Sequence, residues 1–132
     1  MTPAARQIPN EAIPVSGPVI DRDHLARMTF GDRKLERELL ELFDRQAAVL
    51  LERMQATDAA VVAALAHTLK GSALGIGAVG VARAAAAVEQ ASDPRARRCA
   101  LAELAGAIET ARAHIAALFR AASEHGGLAS KG

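Results

Sequence analysis

The chain has 132 residues, a hydrophobic fraction of 51% and a formal net charge of +1. This length fits one domain, and because basic and acidic side chains are interspersed, there is no broad electrostatic footprint for nucleic acid or an anionic membrane. The chain has no Trp or Tyr, three Phe and long alanine-rich runs, which argues against strands of aromatic and β-branched residues and predicts an all-α fold.

The location and the boundaries of the domain are predicted from the same composition. A single cysteine, Cys99, excludes an internal disulfide. The sequence has no N-terminal apolar segment of signal-peptide length, and we expect no apolar run of membrane length, so we expect a cytoplasmic protein that does not bind membranes. Residues 1–18 contain four of the five prolines and are predicted to form a flexible leader before a domain over residues 19–122.

Two helices are predicted at the start of this domain. The first is short, beginning at Asp21 and ending before Gly31, a typical helix-stop residue. Asp32 then caps a second helix with a strongly amphipathic pattern. Its predicted inward stripe consists of Leu35, Leu39, Leu42, Phe43, Gln46, Leu50 and Met54.

The third and fourth predicted helices are joined by a glycine-rich turn. Thr57 or Asp58 caps the third helix, which ends around residues 75–77, where two glycines supply the freedom needed for a turn. The fourth helix follows over about residues 78–91.

The final predicted helix begins at Ser92 or Asp93 followed by Pro94, the pattern of an N-cap and a first-position proline. Short connections between the helices favour an antiparallel up-down four-helix bundle, with the short first helix added to it. Residues 123–132 are small and polar and are predicted to be a flexible tail. The inward stripe of the final helix is Leu101, Leu104, Ile108, Ala111, Ile115, Leu118 and Ala122.

A histidine in the third helix breaks the apolar pattern around it. The apolar stripe of that helix passes through Leu65 and Leu69, and His67 lies two residues from each. At about 100° per residue this separation is roughly 200°, so the imidazole is predicted to project away from the core. A lone helical histidine is usually a packed core residue or an idle surface residue, and the periodicity contradicts the first of these alternatives.

The neighbours of His67 distinguish it from an idle surface residue. Lys70 and Gly71 follow at i+3 and i+4, one turn along the same face. The ammonium of Lys70 can pair with phosphate oxygens. Gly71 lowers the stability of a helix interior by up to about 1 kcal/mol relative to alanine, and the bare backbone it leaves would let a bulky partner approach. The pattern therefore predicts an imidazole that carries a phosphoryl group.

The segment His-Thr-Leu-Lys-Gly-Ser-Ala at residues 67–73 resembles the signature of histidine-containing phosphotransfer (HPt) domains, which are helical intermediates of two-component phosphorelays. The resemblance continues through residues 74–77 and then along Val81, Ala84 and Val88, and it covers roughly residues 20–122. It implies that His67 accepts a phosphoryl group from the aspartate of a response-regulator receiver domain, or from a histidine kinase, and relays it to another receiver aspartate.

The same resemblance implies roles for other residues and for partners. In the family, a Gln or Glu twenty-two residues after the histidine often orients the imidazole, and that position here is Glu89. The alternative is a solvated glutamate on the outer face of the fourth helix. Lys70 would be the charge partner of the phosphate and Gly71 the point of steric access. Magnesium would belong to the receiver, and we expect no cofactor on this chain.

The expected partners are receiver domains and histidine or hybrid kinases, bound by a monomer. Small residues on the face of His67, namely Ala60, Ala63, Ala64 and Leu74, are predicted to form a platform for a receiver helix. Leu25 and Met28 of the first helix are assigned to the core in preference to that interface.

Other activities are weakly supported by the sequence. There is no Gly-rich nucleotide loop, so we expect no kinase activity. His24, His114 and His125 lack metal-ligand spacing. Two alternatives to a phosphocarrier stay open: a helical adaptor that binds a receiver or kinase while His67 is idle, and a structural or dimerising bundle.

Overall fold

A computed structural model describes the backbone of residues 19–131 and the side chains of residues 19–123. The predicted leader, residues 1–18, lies outside the described residues. Within the described part the chain forms five helices and no strand, which confirms the all-α prediction. The helices are α1 (Arg22–Met28), α2 (Arg33–Met54), α3 (Ala59–Ile76), α4 (Val79–Gln90) and α5 (Pro94–Lys131).

Aspartates fix the starts of four of these five helices. Each carboxylate accepts a hydrogen bond from the backbone N–H three residues further on, at 2.8 to 3.1 Å. A cap of this kind contributes about 1 kcal/mol of stability. Asp58 therefore caps α3 in preference to Thr57, and Asp93 caps α5 in preference to Ser92. The capping residues are Asp21, Asp32, Asp58 and Asp93.

The core lies between α2, α3, α4 and α5. Each of these helices contacts the next one in the chain, and α2 also contacts α5, which closes a ring of four helices. The short helix α1 packs against α2 and α3. The largest fully buried side chains of the ring are Phe43, Met54, Leu69, Leu104, Ile115, Val81 and Val88. The helical bundle is thus confirmed, and the antiparallel up-down order stays a prediction from the short connections.

The predicted stripe of α2 is only partly correct. The residues buried in this helix are Leu40, Phe43, Ala47, Leu50 and Met54, which follow one another at alternating spacings of three and four. Leu42, which we placed on the stripe, is 53% exposed, because one residue before Phe43 a side chain is turned by about 100° from the buried face. Leu35, in the first turn, is also exposed.

Of the two α1 side chains assigned to the core, one is buried and the other is exposed. Leu25 is fully buried, as predicted, and Met28 is 54% exposed, contrary to the prediction. Met28 is the last residue of α1. The next residue, Thr29, is buried, and the exposed Phe30 and Gly31 follow it with a positive φ.

At the other end of the chain, α5 continues to Lys131. The segment predicted to be a tail therefore includes helical residues beyond Ala122. The domain boundaries at residues 19 and 122 stay a prediction.

Helix α3 corrects one statement made from the sequence. Its 18 residues have a mean hydropathy of 1.4 and are long and apolar enough, by length and composition alone, to cross a membrane. The sequence therefore does contain an apolar run of membrane length. Core helices of soluble proteins meet the same criterion, and α3 packs one face against the bundle through Val62, Ala66, Leu69, Ala73 and Ile76.

Two glycines near the end of α3 generate a stability prediction. Gly77 has a φ of +82°, and a Cβ there would lie 2.8 Å from the backbone oxygen of Asp21, whereas a Cβ at Gly75 would meet no atom within 4 Å. We expect Gly77→Ala to lower the free energy of unfolding by more than about 1 kcal/mol, since the left-handed conformation alone has that cost. Gly75→Ala, the matched control, should raise it by up to about 1 kcal/mol.

Urea or guanidinium unfolding followed by circular dichroism measures both changes. Equal effects of the two substitutions would contradict the turn geometry described here.

Candidate functional site

The packing of α3 determines which of its side chains face water. Because Val62, Leu69 and Ile76 are buried against the other helices, residues on the opposite side of α3 face outward. The His67 side chain lies there and is 68% exposed. The imidazole is therefore attached to a helix held on its other face by the core.

Helix α4 brings a carboxylate to this imidazole. Val88 is buried in the core, and the adjacent residue Glu89 has a side chain that is 27% exposed and lies against α3. Oε2 of Glu89 is 2.8 Å from Nδ1 of His67. An ionised carboxylate can only accept a hydrogen bond, so Nδ1 carries the proton of a neutral ring. The lone pair is then on Nε2, the other ring nitrogen.

The second oxygen of the same carboxylate contacts Lys70. Nζ of Lys70 is 3.0 Å from Oε1 of Glu89, and the Lys70 side chain is 30% exposed. Oε1 is closed off from solvent and has no well-aligned hydrogen bond in the described residues, so this contact is an ion pair, with the ammonium balancing the charge of the carboxylate. Glu89 thus joins two side chains of α3, three residues apart.

These contacts determine the charge state of Glu89. The ammonium of Lys70, and after it the hydrogen bond with His67, lower the pKa of the Glu89 carboxyl below its ordinary value, while desolvation opposes them to a smaller degree. Glu89 is therefore ionised near neutral pH, which is the state that the contact with Nδ1 of His67 requires.

The surface around His67 is small and weakly apolar. Gly71 is exposed, and a Cβ built on it would meet no atom within 4 Å. Ala60 and Ala64 are exposed, Ala63 is half-buried, and Leu74 is 52% exposed. We call these four side chains the α3 platform.

The structure brings together three of the four residues singled out from the sequence: Glu89 contacts both His67 and Lys70 directly. Gly71 follows Lys70 on α3. Among the described side chains, neither His24 nor His114 forms a hydrogen bond or an ion pair with this group. Over the described side chains, no three His, Cys, Asp or Glu residues are close enough together to hold a metal ion. The arrangement offers one exposed nucleophile, the Nε2 nitrogen, beside one cation.

The contact between Lys70 and Glu89 was not predicted from the sequence. There, Lys70 is expected to pair with the phosphate and Glu89 to orient the imidazole, with no contact between the two residues. The two residues are nineteen positions apart on different helices, so no spacing within one helix indicates the contact. It becomes visible only once the relative register of α3 and α4 is known.

Comparison with protein-family models gives a match to the Hpt domain over residues 38–122. The match covers more than half of the chain, and the protein therefore belongs to the Hpt domain family. It begins inside α2, so α1 and the first turn of α2 lie outside it, although the resemblance noted from the sequence began near residue 20. Neither a comparison with curated proteins nor one with solved structures found a match.

Membership in this family implies a phosphotransfer role in two-component phosphorelays. It also implies interaction with response-regulator receivers and histidine kinases. Hpt domains in general are phosphocarriers without kinase activity, and they are typically soluble.

The lowered pKa of Glu89 generates a prediction. In the unphosphorylated protein, ¹³C NMR of the Glu89 carboxyl should give a titration midpoint below the ordinary value for glutamate. Lys70→Gln should raise that midpoint, because the ammonium is the largest cause of the shift. A depressed pKa in the folded state means that the ion pair's contribution is present near neutral pH and is lost as the pH falls through that midpoint.

Lys34→Gln is the matched control, since Lys34 is an exposed lysine on α2. A Glu89 midpoint that is the same in the wild-type protein and in Lys70→Gln would show that the ion pair does not form in solution.

Proposed function

We propose that this protein is a histidine phosphotransfer protein whose phosphoryl acceptor is Nε2 of His67. The donor is a receiver aspartyl-phosphate or a histidine kinase, and the acceptor is the aspartate of another receiver. The observation that carries the proposal is the 2.8 Å contact between Nδ1 of His67 and Oε2 of Glu89. It commits the inner nitrogen to a hydrogen bond and leaves the lone pair of the other nitrogen for attack on phosphorus.

The transfer from a receiver is written as a single displacement. The Nε2 lone pair forms a bond to phosphorus, the bond between phosphorus and the aspartyl oxygen breaks, and the aspartate leaves as a carboxylate. The ring then carries the phosphoryl group on Nε2 and still carries the proton on Nδ1, so it becomes positively charged. Glu89 stabilises that charge through the contact it already makes, as carboxylates do for metal-bound histidines. Transfer to the next receiver is the reverse reaction.

Lys70 and Gly71 have complementary roles in this proposal. Phosphoryl transfer requires positioning and the stabilisation of charge on the phosphoryl oxygens, and the ammonium of Lys70 is the cation closest in sequence to His67. Gly71 leaves the helix backbone open beside the imidazole, and the α3 platform offers a surface that a receiver helix can cover. The magnesium ion of the reaction belongs to the receiver, and this chain binds no cofactor.

The protein has no kinase activity of its own in this proposal and acts as a cytoplasmic monomer that binds no nucleic acid. A closed ring of four helices supports the monomer, because one face of each helix is buried in a core formed within one chain. The packing of one face of α3 into that ring supports a role for this apolar helix as part of a bundle away from the membrane.

The central test is phosphoryl transfer from radiolabelled receiver domains. Wild-type protein should acquire an acid-labile, alkali-stable label, and His67→Gln should acquire none. Glu89→Ala and Lys70→Ala should each slow the transfer by about tenfold or more, since a hydrogen bond to a charged group is worth about 1.5–3 kcal/mol.

Glu103→Ala, an exposed glutamate on α5, is the control and should transfer at the wild-type rate. If a receiver binds the wild-type protein and His67→Gln equally well and labels neither, the protein is an adaptor and the proposal is wrong.

Gly71 allows a second test that separates access by a partner from chemistry. Because a Cβ at position 71 meets no atom of the free protein, Gly71→Ala should fold normally and gain up to about 1 kcal/mol of stability. It should nevertheless slow transfer from a receiver, while phosphorylation by phosphoramidate, a small donor, stays at the wild-type rate.

Gly80→Ala is the matched control on α4, where a Cβ is equally free of contacts. If Gly71→Ala accepts phosphate from receivers at the wild-type rate, Gly71 is not needed for steric access by the partner.

A further inference from the structure

The unphosphorylated site contains one anion shared by two partners. Oε2 of Glu89 contacts the ring of His67 at 2.8 Å, and Oε1 contacts the ammonium of Lys70 at 3.0 Å. When the ring is neutral, which is the state with a lone pair on Nε2, Lys70 provides the full positive charge that balances Glu89. Its ammonium is therefore already committed to a carboxylate before any phosphoryl group arrives.

Phosphorylation of His67 changes this balance on both sides of the ring. The phosphoryl group adds a charge of about −1.5 to −2 at Nε2, and the ring, with Nδ1 still protonated, becomes a cation. That cation lies against Oε2 of Glu89 and can balance the carboxylate by itself. Lys70 is then no longer needed at Oε1, and a stronger anion has appeared one helical turn away on the same helix.

We propose that phosphorylation moves Lys70 from Glu89 to the phosphoryl group, so that one lysine serves two anions in turn. This inference rests on the proposed function and assigns a role to the ion pair between Lys70 and Glu89. In the unphosphorylated protein Glu89 holds the ammonium close to the reaction site. In the phosphorylated protein Glu89 pairs with the ring and Lys70 pairs with the phosphoryl oxygens.

The geometry permits this exchange without movement of a helix. The ammonium of Lys70 is carried on a flexible four-carbon chain, the side chain is 30% exposed, and Lys70 follows His67 by three residues. After the exchange there are two pairs of opposite charge. The cationic ring pairs with Glu89 on the Nδ1 side, and the phosphoryl group on Nε2 pairs with Lys70. Without the exchange, the cationic ring and the ammonium of Lys70 would both lie against Glu89, and the phosphoryl group would not be paired with Lys70.

The test observes Lys70 directly by NMR in the full-length protein. The chain has three lysines, so the Cε and Nζ signals of Lys70 are identified by their loss in Lys70→Gln. Phosphoramidate phosphorylates His67 at mildly alkaline pH, which avoids contacts with a receiver, and ³¹P NMR reports the phosphohistidine. The quantity measured is the displacement of the Lys70 signals caused by Glu89→Gln, with and without the phosphoryl group.

We expect Glu89→Gln to displace the Lys70 signals in the unphosphorylated protein and to leave them nearly unchanged in the phosphorylated protein. Lys34 serves as the internal control and should not respond in either state. A displacement of equal size in both states means that Lys70 stays on Glu89, and it overturns the exchange while leaving phosphorylation of His67 intact. Absence of a phosphohistidine signal from the wild-type protein overturns the proposed function together with the exchange.

A reciprocal measurement covers the case in which Glu89→Gln is not phosphorylated. Lys70→Gln should displace the Glu89 carboxyl signal in the unphosphorylated protein only. The same displacement in the phosphorylated protein would overturn the exchange.

Discussion

The candidate site depends on one carboxylate that contacts two side chains of the neighbouring helix. Glu89 places one oxygen against His67 and the other against Lys70. The first contact selects the ring nitrogen that keeps a lone pair, and the second lowers the pKa of the Glu89 carboxyl. If the carboxylate were protonated or rotated away, the imidazole would lose its fixed tautomer and Lys70 would lose its position near the ring. A residue of α4 therefore positions both functional side chains of α3.

The scaffold explains how a single contact of this kind can be held in place. Several small residues of α3 and α4 are fully buried, among them Ala66, Ala73 and Ala85, and small side chains let helix backbones approach each other closely. Gly77, in the left-handed conformation, ends α3, and its carbonyl accepts a hydrogen bond from the backbone of Asp21 at 2.9 Å. The connection through Gly77 and Ala78 leads directly into α4, so α3 and α4 are neighbours in the bundle, and their packing sets the distance between His67 and Glu89.

The sequence predicted correctly the direction of side chains that follows from the period of a single helix. It did not predict contacts that depend on how two helices pack against each other. The outward direction of His67 is a property of the 3.6-residue period, and the structure has the side chain 68% exposed. For the N-caps of α3 and α5 the sequence left two candidates each, because neighbouring polar residues have equally suitable side chains. The hydrogen bonds in the structure identify which one caps the helix. In α2, an apolar pattern broad enough to fit more than one stripe led to the wrong assignment of Leu35 and Leu42.

Glu89 shows the same limit at the site itself. Its assignment came from a family resemblance, since nothing in the spacing of twenty-two residues indicates a contact. The ion pair with Lys70 was not predicted at all, because it requires the relative rotation of α3 and α4. Long-range polar contacts are determined by helix packing, which a pattern within one helix does not describe.

The imidazole is held on its inner side and open to solvent on its outer side, as a side chain that carries a phosphoryl group between partners requires. The inner side of the imidazole is held by a carboxylate that is only 27% exposed, whereas the His67 side chain as a whole is 68% exposed. In the proposed transfer, the bond to phosphorus therefore forms on the side that the protein leaves open, where a partner must supply the phosphoryl group and its metal ion. An enclosed pocket would hinder the approach of two successive receivers to the same nitrogen. A flat face with one glycine and short side chains admits both, so the selection of partners must depend on residues around the imidazole and not on the imidazole itself.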